Sequence, residues 1–385
     1  MFERLSKWLA LASALLLAAT TQAQPAAAPP PEDEVPIALL VDLTSGQVLH
    51  QRNAERRFVP ASITKVMTLY RAFELIAAGK LVPAQTFTMR DETWREWSGE
   101  GSTMWIGAGE PVSVHDMLTG IANVSANDAA AALAEGEAGS VDAWVAAMNE
   151  EALRLGMTQS HFGTPNGWPD EGRTFTTAHD LVKLARAMIT RHPELYARYI
   201  GKRGFRFNGI EQSNHDPLIG RTQGADGIKT GYTNEAGFGY LGSVERDGQR
   251  LVLVVAGVDR SGTRARAARN YIEWGFSAFE RRRLFGEQQV VGEARVQGGG
   301  ARRVGLRTDR TVYVNVPRGA SGELSMSISY DGPLRAPFSA GDRVATLVIE
   351  VPGMEPARLP LLATDDVEQA GVFARMLNGI AGWFS

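Results

Sequence analysis

Apolar and polar positions along the first third of the chain predict a β-hairpin followed by a helix. Residues 37–42 form a compact apolar run, and after a short turn residues 47–51 complete the hairpin. Ser62 begins a stretch in which apolar positions recur at helical spacing as far as Ile76. Gly79 then ends the pattern, as glycine commonly does after the last helical turn.

Helical spacing governs the Ala- and Leu-rich middle of the chain, where three helices are predicted at 128–137, 141–155 and 177–190. Strands return at 237–244 and 251–258, and a last helix is predicted at 264–279. Strands at both ends of a helical middle indicate an α+β domain with an antiparallel sheet, which we place at 36–283.

The pattern changes after this domain. Alternating positions at 311–316, 324–330 and 344–351 predict strands with no helix between them, so residues 285–362 are interpreted as a small, sandwich-like all-β domain. In the tail, 366–385, apolar residues fall on one face of a predicted amphipathic helix: Phe373, Met376, Leu377, Ile380 and Phe384.

The first residues predict export. Arg4 and Lys7 precede an apolar run, and small residues near Ala23 provide a cleavage site, so residues 1–23 are interpreted as a signal peptide. Residues 24–35 are rich in Pro and Ala and are typical of a flexible leader. We therefore expect an exported, periplasmic protein.

Composition excludes several classes of function. The formal net charge is −3, which gives no basic face for nucleic acid. The chain has no cysteine, which excludes disulfides, thiolate zinc sites and a cysteine nucleophile. Its six histidines form no H-E-x-x-H or comparable ligand spacing, so we expect neither a metal nor any other cofactor.

Ser62 and Lys65 form the first candidate chemical pair. Three positions apart on a helix, they share a face and lie close enough to exchange a proton. A serine hydroxyl becomes nucleophilic when a base removes its proton, and lysine can be that base when burial and a second cation lower its pKa. Alone, however, the pair is more typical of a helix-capping serine and a solvated lysine.

Two further motifs supply what the pair needs. Ser125-Ala126-Asn127 places a hydroxyl and an amide at the mouth of a helix. Lys229-Thr230-Gly231 places a second cation and a hydroxyl just before a predicted strand, where the glycine would leave room for a substrate backbone along the strand edge. The three motifs follow in order, about sixty and a hundred residues apart.

These motifs, with "VPASITKVMT", "SANDAAAALAE", "FRFNGIEQSN" and "DGIKTGYTNEAGFGYLGS", make the chain resemble the low-molecular-weight penicillin-binding proteins, which are serine-type D-alanyl-D-alanine carboxypeptidases. The resemblance runs from about Pro36 to the end. It implies a serine β-lactamase/transpeptidase-like domain, followed by the small β domain and the tail helix. Ala126 stands where relatives often carry Gly or Asp.

The resemblance also implies catalytic roles. Ser62 would attack the penultimate D-alanine carbonyl and form an acyl-enzyme, with Lys65 as the general base. Ser125 would relay a proton to the leaving amine, and Asn127 would orient Lys65 and the substrate. Lys229 would help to lower the pKa of Lys65.

The implied substrate-binding residues are Lys229, Thr230, Gly231, Tyr232 and Arg264. Thr230 and Arg264 would hold the terminal carboxylate of the substrate, since a hydroxyl and a guanidinium suit that group. The backbone N–H groups of Ser62 and Tyr232 would hold the oxyanion.

The expected partners are therefore stem peptides ending in D-Ala-D-Ala, β-lactams as covalent inhibitors, and the outer face of the cytoplasmic membrane through the tail helix.

The alternative functions are those of a D,D-endopeptidase, a weak β-lactamase and a non-catalytic cell-wall binding protein. A class A β-lactamase needs a deacylating glutamate, and the acids available between the second and third motifs (Asp170, Glu171 and Glu194) lack the usual surrounding pattern. Endopeptidases usually lack the C-terminal β domain, and a pure binder needs no base beside its serine.

Overall fold

The computed structural model describes residues 29, 31, 33–320 and 323–371. The predicted signal peptide, most of the leader and residues 372–385 of the predicted tail helix lie outside these ranges. Within them, no helix combines the length and the apolar character needed to cross a bilayer.

The helices of the described chain are α1 (Lys65–Ala77), α2 (Asp91–Trp97), α3 (Val114–Asn123), α4 (Asn127–Ala138), α5 (Val141–Arg154), α6 (Ala178–Arg191), α7 (Pro193–Tyr199) and α8 (Ser261–Ser277). The strands are β1 (Ile37–Asp42), β2 (Gln47–Arg52), β3 (Thr86–Thr88), β4 (Pro111–Ser113), β5 (Gly204–Phe207), β6 (Ile210–Ser213), β7 (Ala225–Thr233), β8 (Gly237–Arg246), β9 (Gln249–Val258), β10 (Phe279–Phe285), β11 (Val290–Gln297), β12 (Arg303–Thr308), β13 (Val312–Pro317), β14 (Ser325–Ser329), β15 (Leu334–Arg335), β16 (Arg343–Glu350) and β17 (Ala357–Ala363).

A five-stranded antiparallel sheet in the order β2-β1-β9-β8-β7 organises the first domain. Because side chains alternate along a strand, β1 sends Leu39 to the core that contains α1 and Leu40 to the core that contains α8. Both faces are covered, which explains why every residue of β1 is buried. The predicted hairpin and the α+β class are confirmed.

Two predictions near the end of this domain are wrong. The Lys229-Thr230-Gly231 motif lies inside β7, at the edge of the sheet, and not before a strand. The last helix ends at Ser277, because Phe279 begins β10, which pairs with β13 of the second domain. The short elements α2, β3, β4, β5 and β6 carry too few periodic positions to be predicted from the sequence.

The second domain is all-β, with the pair β10-β13 and a six-stranded sheet in the order β14-β16-β17-β12-β11-β15. Its strands extend beyond the predicted limits 285–362 on both sides. Val367, which is 2% exposed, pairs with Phe338, and the backbone N–H of Ala370 donates to Gly298. The described start of the predicted tail helix, 366–371, is therefore extended chain, because its apolar residues complete the β-domain core.

A buried polar network joins the two domains. Asn315 on β13 donates from Nδ2 to Asp42 Oδ2 at 2.6 Å and to Ser45 Oγ at 3.0 Å. Its backbone N–H donates to Gln47 Oε1 at 2.6 Å, and Gln47 Nε2 donates back to the Asn315 carbonyl at 3.1 Å. These four residues are at most 1% exposed, so their polar groups depend on one another across the domain boundary.

Candidate active site

Ser62 lies in a 3₁₀ turn, Ala61–Thr64, that leads directly into α1. Two glycines allow other segments to pack against this turn. A Cβ on Gly167 would overlap the carbonyl oxygen of Ala61, and a Cβ on Gly231 would overlap that of Pro60. The structure thus gives Gly231 a role that the sequence analysis missed: it lets β7 approach the serine turn closely.

Lys65 occupies the first turn of α1 with a side chain that is fully buried. Its Nζ donates to Ser62 Oγ at 2.9 Å, to Asn127 Oδ1 at 2.7 Å and to the carbonyl of Asn166 at 2.6 Å. Burial, assisted by the positive charge of Lys229, holds the pKa of Lys65 well below that of a solvated lysine. The neutral, basic form of this amine is therefore more accessible than that of a solvated lysine.

Ser125 and Asn127 lie in the turn between α3 and α4. Ser125 has a φ of +63°, in the left-handed region that serine rarely adopts, and such strain is characteristic of functional sites. Asn127 begins α4, and its Nδ2 donates to the carbonyl of Glu100 at 3.1 Å. That bond fixes the orientation of the amide, so that its oxygen faces Lys65.

Lys229, Thr230 and Tyr232 follow one another along the edge strand β7. Lys229 is 3% exposed, and its Nζ donates to the carbonyl of Thr230 at 3.1 Å. Burial and the nearby Arg264 lower the pKa of Lys229 to about 7. Thr230, Gly231 and Tyr232 line a cleft, and Tyr232 is half exposed to solvent.

Arg264 enters the cleft from the first turn of α8, as predicted for the helix after the last sheet strand. Its guanidinium lies 5.8 Å from the centroid of the Phe238 ring, which gives it an aromatic support. Burial lowers its pKa, and Asp216 opposes that change. Arg264 and Thr230 therefore face the same space from two different elements.

The cleft has a volume of about 360 Å³ and brings together the predicted residues Ser62, Ser125, Asn127, Thr230, Gly231, Tyr232 and Arg264, with Lys65 and Lys229 buried behind its walls. Sequence reasoning missed Asn166, Trp168 and His215, which also line it. Asn166 contributes to Lys65 through its backbone carbonyl, which leaves no signal in side-chain chemistry. Burial and the cations Lys229 and Arg264 lower the pKa of His215 to about 4.

The acids considered for a β-lactamase mechanism lie elsewhere. Asp170 accepts hydrogen bonds from the backbone and hydroxyl of Thr174, at 3.0 and 2.6 Å, and so fixes a loop. Glu171 and Glu194 do not line the cleft, and among the described residues that do, none is acidic. The cleft therefore combines a serine hydroxyl with a lysine amine, and the buried Lys65 and Lys229 lie behind its walls.

Comparison with known proteins identifies the family. The family model for D-alanyl-D-alanine carboxypeptidases matches residues 22–260, more than half of the chain. The chain belongs to this family of serine peptidases. A second family model, the C-terminal domain of penicillin-binding protein 5, matches residues 279–369. The family assignment and the fold class predicted from the motifs are confirmed.

Individual relatives of this carboxypeptidase agree over most of its length. D-alanyl-D-alanine carboxypeptidase DacC of Escherichia coli K12 is 32% identical over 360 residues, which is 90% of each chain. The crystal structure of penicillin-binding protein 5 from Haemophilus influenzae superposes with a TM-score of 0.77 and 30% identity, covering 89% of this chain and all of that one. Penicillin-binding protein D2 from Listeria monocytogenes, solved with bound ampicillin, gives a TM-score of 0.57 and 27% identity, covering 63% of this chain and 98% of that one.

Proposed function

We propose that this carboxypeptidase removes the terminal D-alanine of peptidoglycan pentapeptide stems through an acyl-enzyme on Ser62. One observation carries the proposal: the Nζ of a fully buried lysine lies 2.9 Å from the hydroxyl of Ser62. Burial lowers the pKa of that amine, and in its neutral form an amine at hydrogen-bond distance can take the hydroxyl proton as the oxygen attacks.

The reaction divides into two steps. Ser62 Oγ bonds to the carbonyl carbon of the penultimate D-alanine while its proton passes to Lys65. The C–N bond then breaks, and the terminal D-alanine leaves after its amine gains, through Ser125, the proton that Lys65 took from Ser62. In the second step a water molecule, deprotonated by Lys65, attacks the ester carbonyl. The shortened peptide departs with a new carboxylate, and the proton returns to Ser62.

Asn127 and Asn166 would hold Lys65 in place for both steps. Their oxygens accept from Nζ at 2.7 and 2.6 Å, which leaves the bond to Ser62 as the one through which a proton is exchanged. Asn127 Oδ1 cannot turn away without breaking the bond from its Nδ2 to Glu100. Both residues thus act by positioning the base.

The substrate's terminal carboxylate would bind between Thr230 and Arg264, with the positive potential of Lys229 behind it. A free C-terminus distinguishes a carboxypeptidase substrate from an internal peptide bond, and these groups recognise that anion. The backbone N–H groups of Ser62 and Tyr232 would stabilise the oxyanion. Ser62 suits this task because it lies in the first turn of a helical segment, where N–H groups have no partner one turn back.

β-Lactams would acylate the same serine. The Listeria relative was solved with ampicillin bound, and a β-lactam offers Ser62 a strained amide with a nearby carboxylate. Because no acidic residue of the described chain lines the cleft, deacylation lacks the carboxylate base of a class A β-lactamase. We therefore expect long-lived penicilloyl-enzyme, which favours a carboxypeptidase over the β-lactamase alternative.

The decisive assay is the release of D-alanine from a pentapeptide ending in D-Ala-D-Ala. We expect turnover by the mature chain and none by Ser62→Ala, and fluorescent penicillin should label only the former. Release of D-alanine by Ser62→Ala at the wild-type rate would refute the acyl-enzyme. A substrate with a cross-linked stem serves as the test for the endopeptidase alternative.

We also propose that the protein is exported to the periplasm and attached to the cytoplasmic membrane by its tail. Support comes from the signal-peptide pattern of 1–23 and from the apolar face of the predicted tail helix, which ends in Trp383 and Phe384. Since Val367 and Ala370 belong to the β-domain core, the attachment is best tested by a chain ending at Gly371. This shortened chain should stay folded and lose its affinity for vesicles. If it binds vesicles as fully as the whole chain, the tail is not the anchor.

A further inference from the structure

A second crevice lies behind one wall of the catalytic cleft, and three of the residues that line it are tryptophans. Its volume is about 150 Å³, and its walls include Trp94 and Trp97 from α2 and Trp105 from the loop that follows. Trp105 is 51% exposed and Trp94 is 36% exposed. Exposing so much aromatic surface to water is unfavourable, so clustered exposed tryptophans beside a catalytic cleft indicate a binding surface. We call this feature the tryptophan crevice.

The tryptophan crevice adjoins the cleft. The ring of Trp97 meets that of Trp168 edge to face, with centroids 5.4 Å apart, and Trp168 lines the cleft. Ser102 also lines the cleft, while its neighbour Thr103 lines the crevice. Adjacent Cα atoms are about 3.8 Å apart, so the two spaces are separated by little more than one residue of chain. A group attached to a ligand in the cleft is therefore near the crevice.

Trp105 is held outward against its backbone preference. Its φ is +66°, in the left-handed region that is unfavourable for a bulky side chain. The buried carboxylate of Asp128 maintains this turn by accepting from the backbone N–H of Met104 at 3.0 Å and of Ile106 at 3.2 Å, one on each side of Trp105. Asp128 follows Asn127 in α4, so one helical turn positions both the catalytic amide and the exposed indole. Strain that is maintained in this way is typical of a functional surface.

The crevice also offers an unused hydrogen-bond donor. Trp97 is 8% exposed, lines the crevice, and has an indole N–H that donates to no group within the described ranges. An indole N–H that no protein group occupies can donate to an acceptor oxygen of a ligand. The indole faces of Trp94 and Trp105 favour a flat apolar surface on the same ligand. A sugar ring combines both, since its C–H groups form a face and its oxygens lie around the edge.

We propose that the tryptophan crevice binds a pyranose ring of the glycan to which the stem peptide is attached. This inference rests on the proposed function, because a peptidoglycan stem carries N-acetylated amino sugars at its amino end. An extended pentapeptide spans at most about 17 Å, so a sugar at its amino end lies within about 17 Å of the carbonyl that Ser62 attacks. The enzyme would thus recognise its substrate at both ends, by the carboxylate and by the sugar.

The test compares two substrates, a disaccharide-pentapeptide and the same pentapeptide without sugar, by KM for D-alanine release. For the wild type we expect a KM about tenfold lower with the disaccharide. Trp105→Ala should bring the ratio of the two KM values close to one, and Trp105→Phe should retain most of the difference. The matched control is Leu153→Ala, which removes an apolar side chain that is 68% exposed on α5, and it should keep the wild-type ratio.

Two results would overturn the proposal. One is an equal KM for both substrates in the wild type. The other is an equal loss for both substrates in Trp105→Ala, which would assign the crevice to the peptide. A separate measurement keeps the test independent of turnover: titration of Ser62→Ala with the free disaccharide should quench indole fluorescence, and Ser62→Ala/Trp105→Ala should lose the quench. If neither substrate yields D-alanine, the proposed function fails, while this titration still decides on the crevice.

Discussion

Lys65 Nζ lies 2.9 Å from Ser62 Oγ, in a position where the lysine is fully buried and has no carboxylate partner among its hydrogen bonds. A protonated amine in such a place would carry a large desolvation penalty, so the pKa of Lys65 is lowered. The serine therefore faces a base. This relationship leads to the first prediction.

Replacing Lys65 by alanine should slow acylation of Ser62 by roughly 10²–10⁴-fold, the usual contribution of a general base. The measurement is the rate of labelling by fluorescent penicillin, together with D-alanine release. Lys183→Ala is a suitable control, since Lys183 also contacts a residue three positions away, Asp180 at 2.8 Å, but its own side chain is 44% exposed on α6 and does not line the cleft. That control should label at the wild-type rate, and wild-type labelling by Lys65→Ala would disprove the assigned mechanism.

The second prediction concerns pH. The base must be neutral, so kcat/KM should rise with pH as Lys65 loses its proton. Lys229, with a pKa of about 7, loses its charge as the pH rises through that value, and its attraction for the substrate carboxylate is then lost. A bell-shaped profile with a falling limb near pH 7 is expected.

Lys229→Gln should change both limbs of this profile. The falling limb should disappear, because the group that titrates is gone. The rising limb should move to higher pH, since removing a neighbouring positive charge raises the pKa of Lys65. Lys202→Gln, a change at a surface lysine whose Nζ donates to the carbonyl of Ala197, should leave the profile as it was. An unchanged profile in Lys229→Gln would mean that Lys229 does not act on the base.

The sequence was sufficient to predict those site residues that act through their side chains and lie at a recognisable spacing. Ser62 and Lys65 could be paired because three residues on a helix fix their relation, and the order of the three motifs predicted the remaining partners. Asn166 could not be found in this way, because its contribution to Lys65 comes from a backbone carbonyl that any residue would supply. Trp97 and Trp105 were visible as residues, but their common crevice depends on how the loop after α2 folds back onto Asp128.

The same distinction holds for the fold. The hairpin and the long helices were predicted because their hydrophobic periods are sustained, whereas β10 was read as the end of a helix. Its residues, beginning at Phe279, are extended because they pair with β13, about thirty residues further along the chain. Likewise, the predicted tail helix begins at 366, but Val367 pairs with Phe338 and is buried against the β domain. Tertiary pairing overrides a local pattern in both cases.

The third prediction tests the close approach of β7 to the serine turn. In Gly231→Ala the new Cβ would overlap the carbonyl oxygen of Pro60, so β7 and the turn must separate. We expect a stability loss of about 1–3 kcal/mol and, because small displacements at a reacting centre are costly, a fall in kcat of roughly 10²-fold. Gly262→Ala in α8 is the control, since nothing lies within 4 Å of the added Cβ. It should be neutral or slightly stabilising, and wild-type turnover by Gly231→Ala would refute the steric argument.

The fourth prediction concerns the polar network between the domains. Asn315→Ala removes the bond of 2.6 Å to Asp42 Oδ2 and the bond of 3.0 Å to Ser45 Oγ, and leaves a buried carboxylate with fewer donors. We expect the free energy of unfolding to fall by about 3 kcal/mol, with D-alanine release from a soluble pentapeptide unchanged at 25 °C. Urea denaturation, followed in both domains, measures the free energy of unfolding.

A control in the β domain distinguishes the buried network from an exposed polar contact of the same domain. Arg303→Ala breaks an ion pair with Glu293 at 3.2 Å, in which the two side chains are 67% and 58% exposed, and it should cost less than about 1 kcal/mol. If Asn315→Ala costs no more than this control, the network does not stabilise the boundary. A cooperative loss of both domains in the wild type, replaced by two separate transitions in Asn315→Ala, would show that these four side chains make the two domains unfold as one.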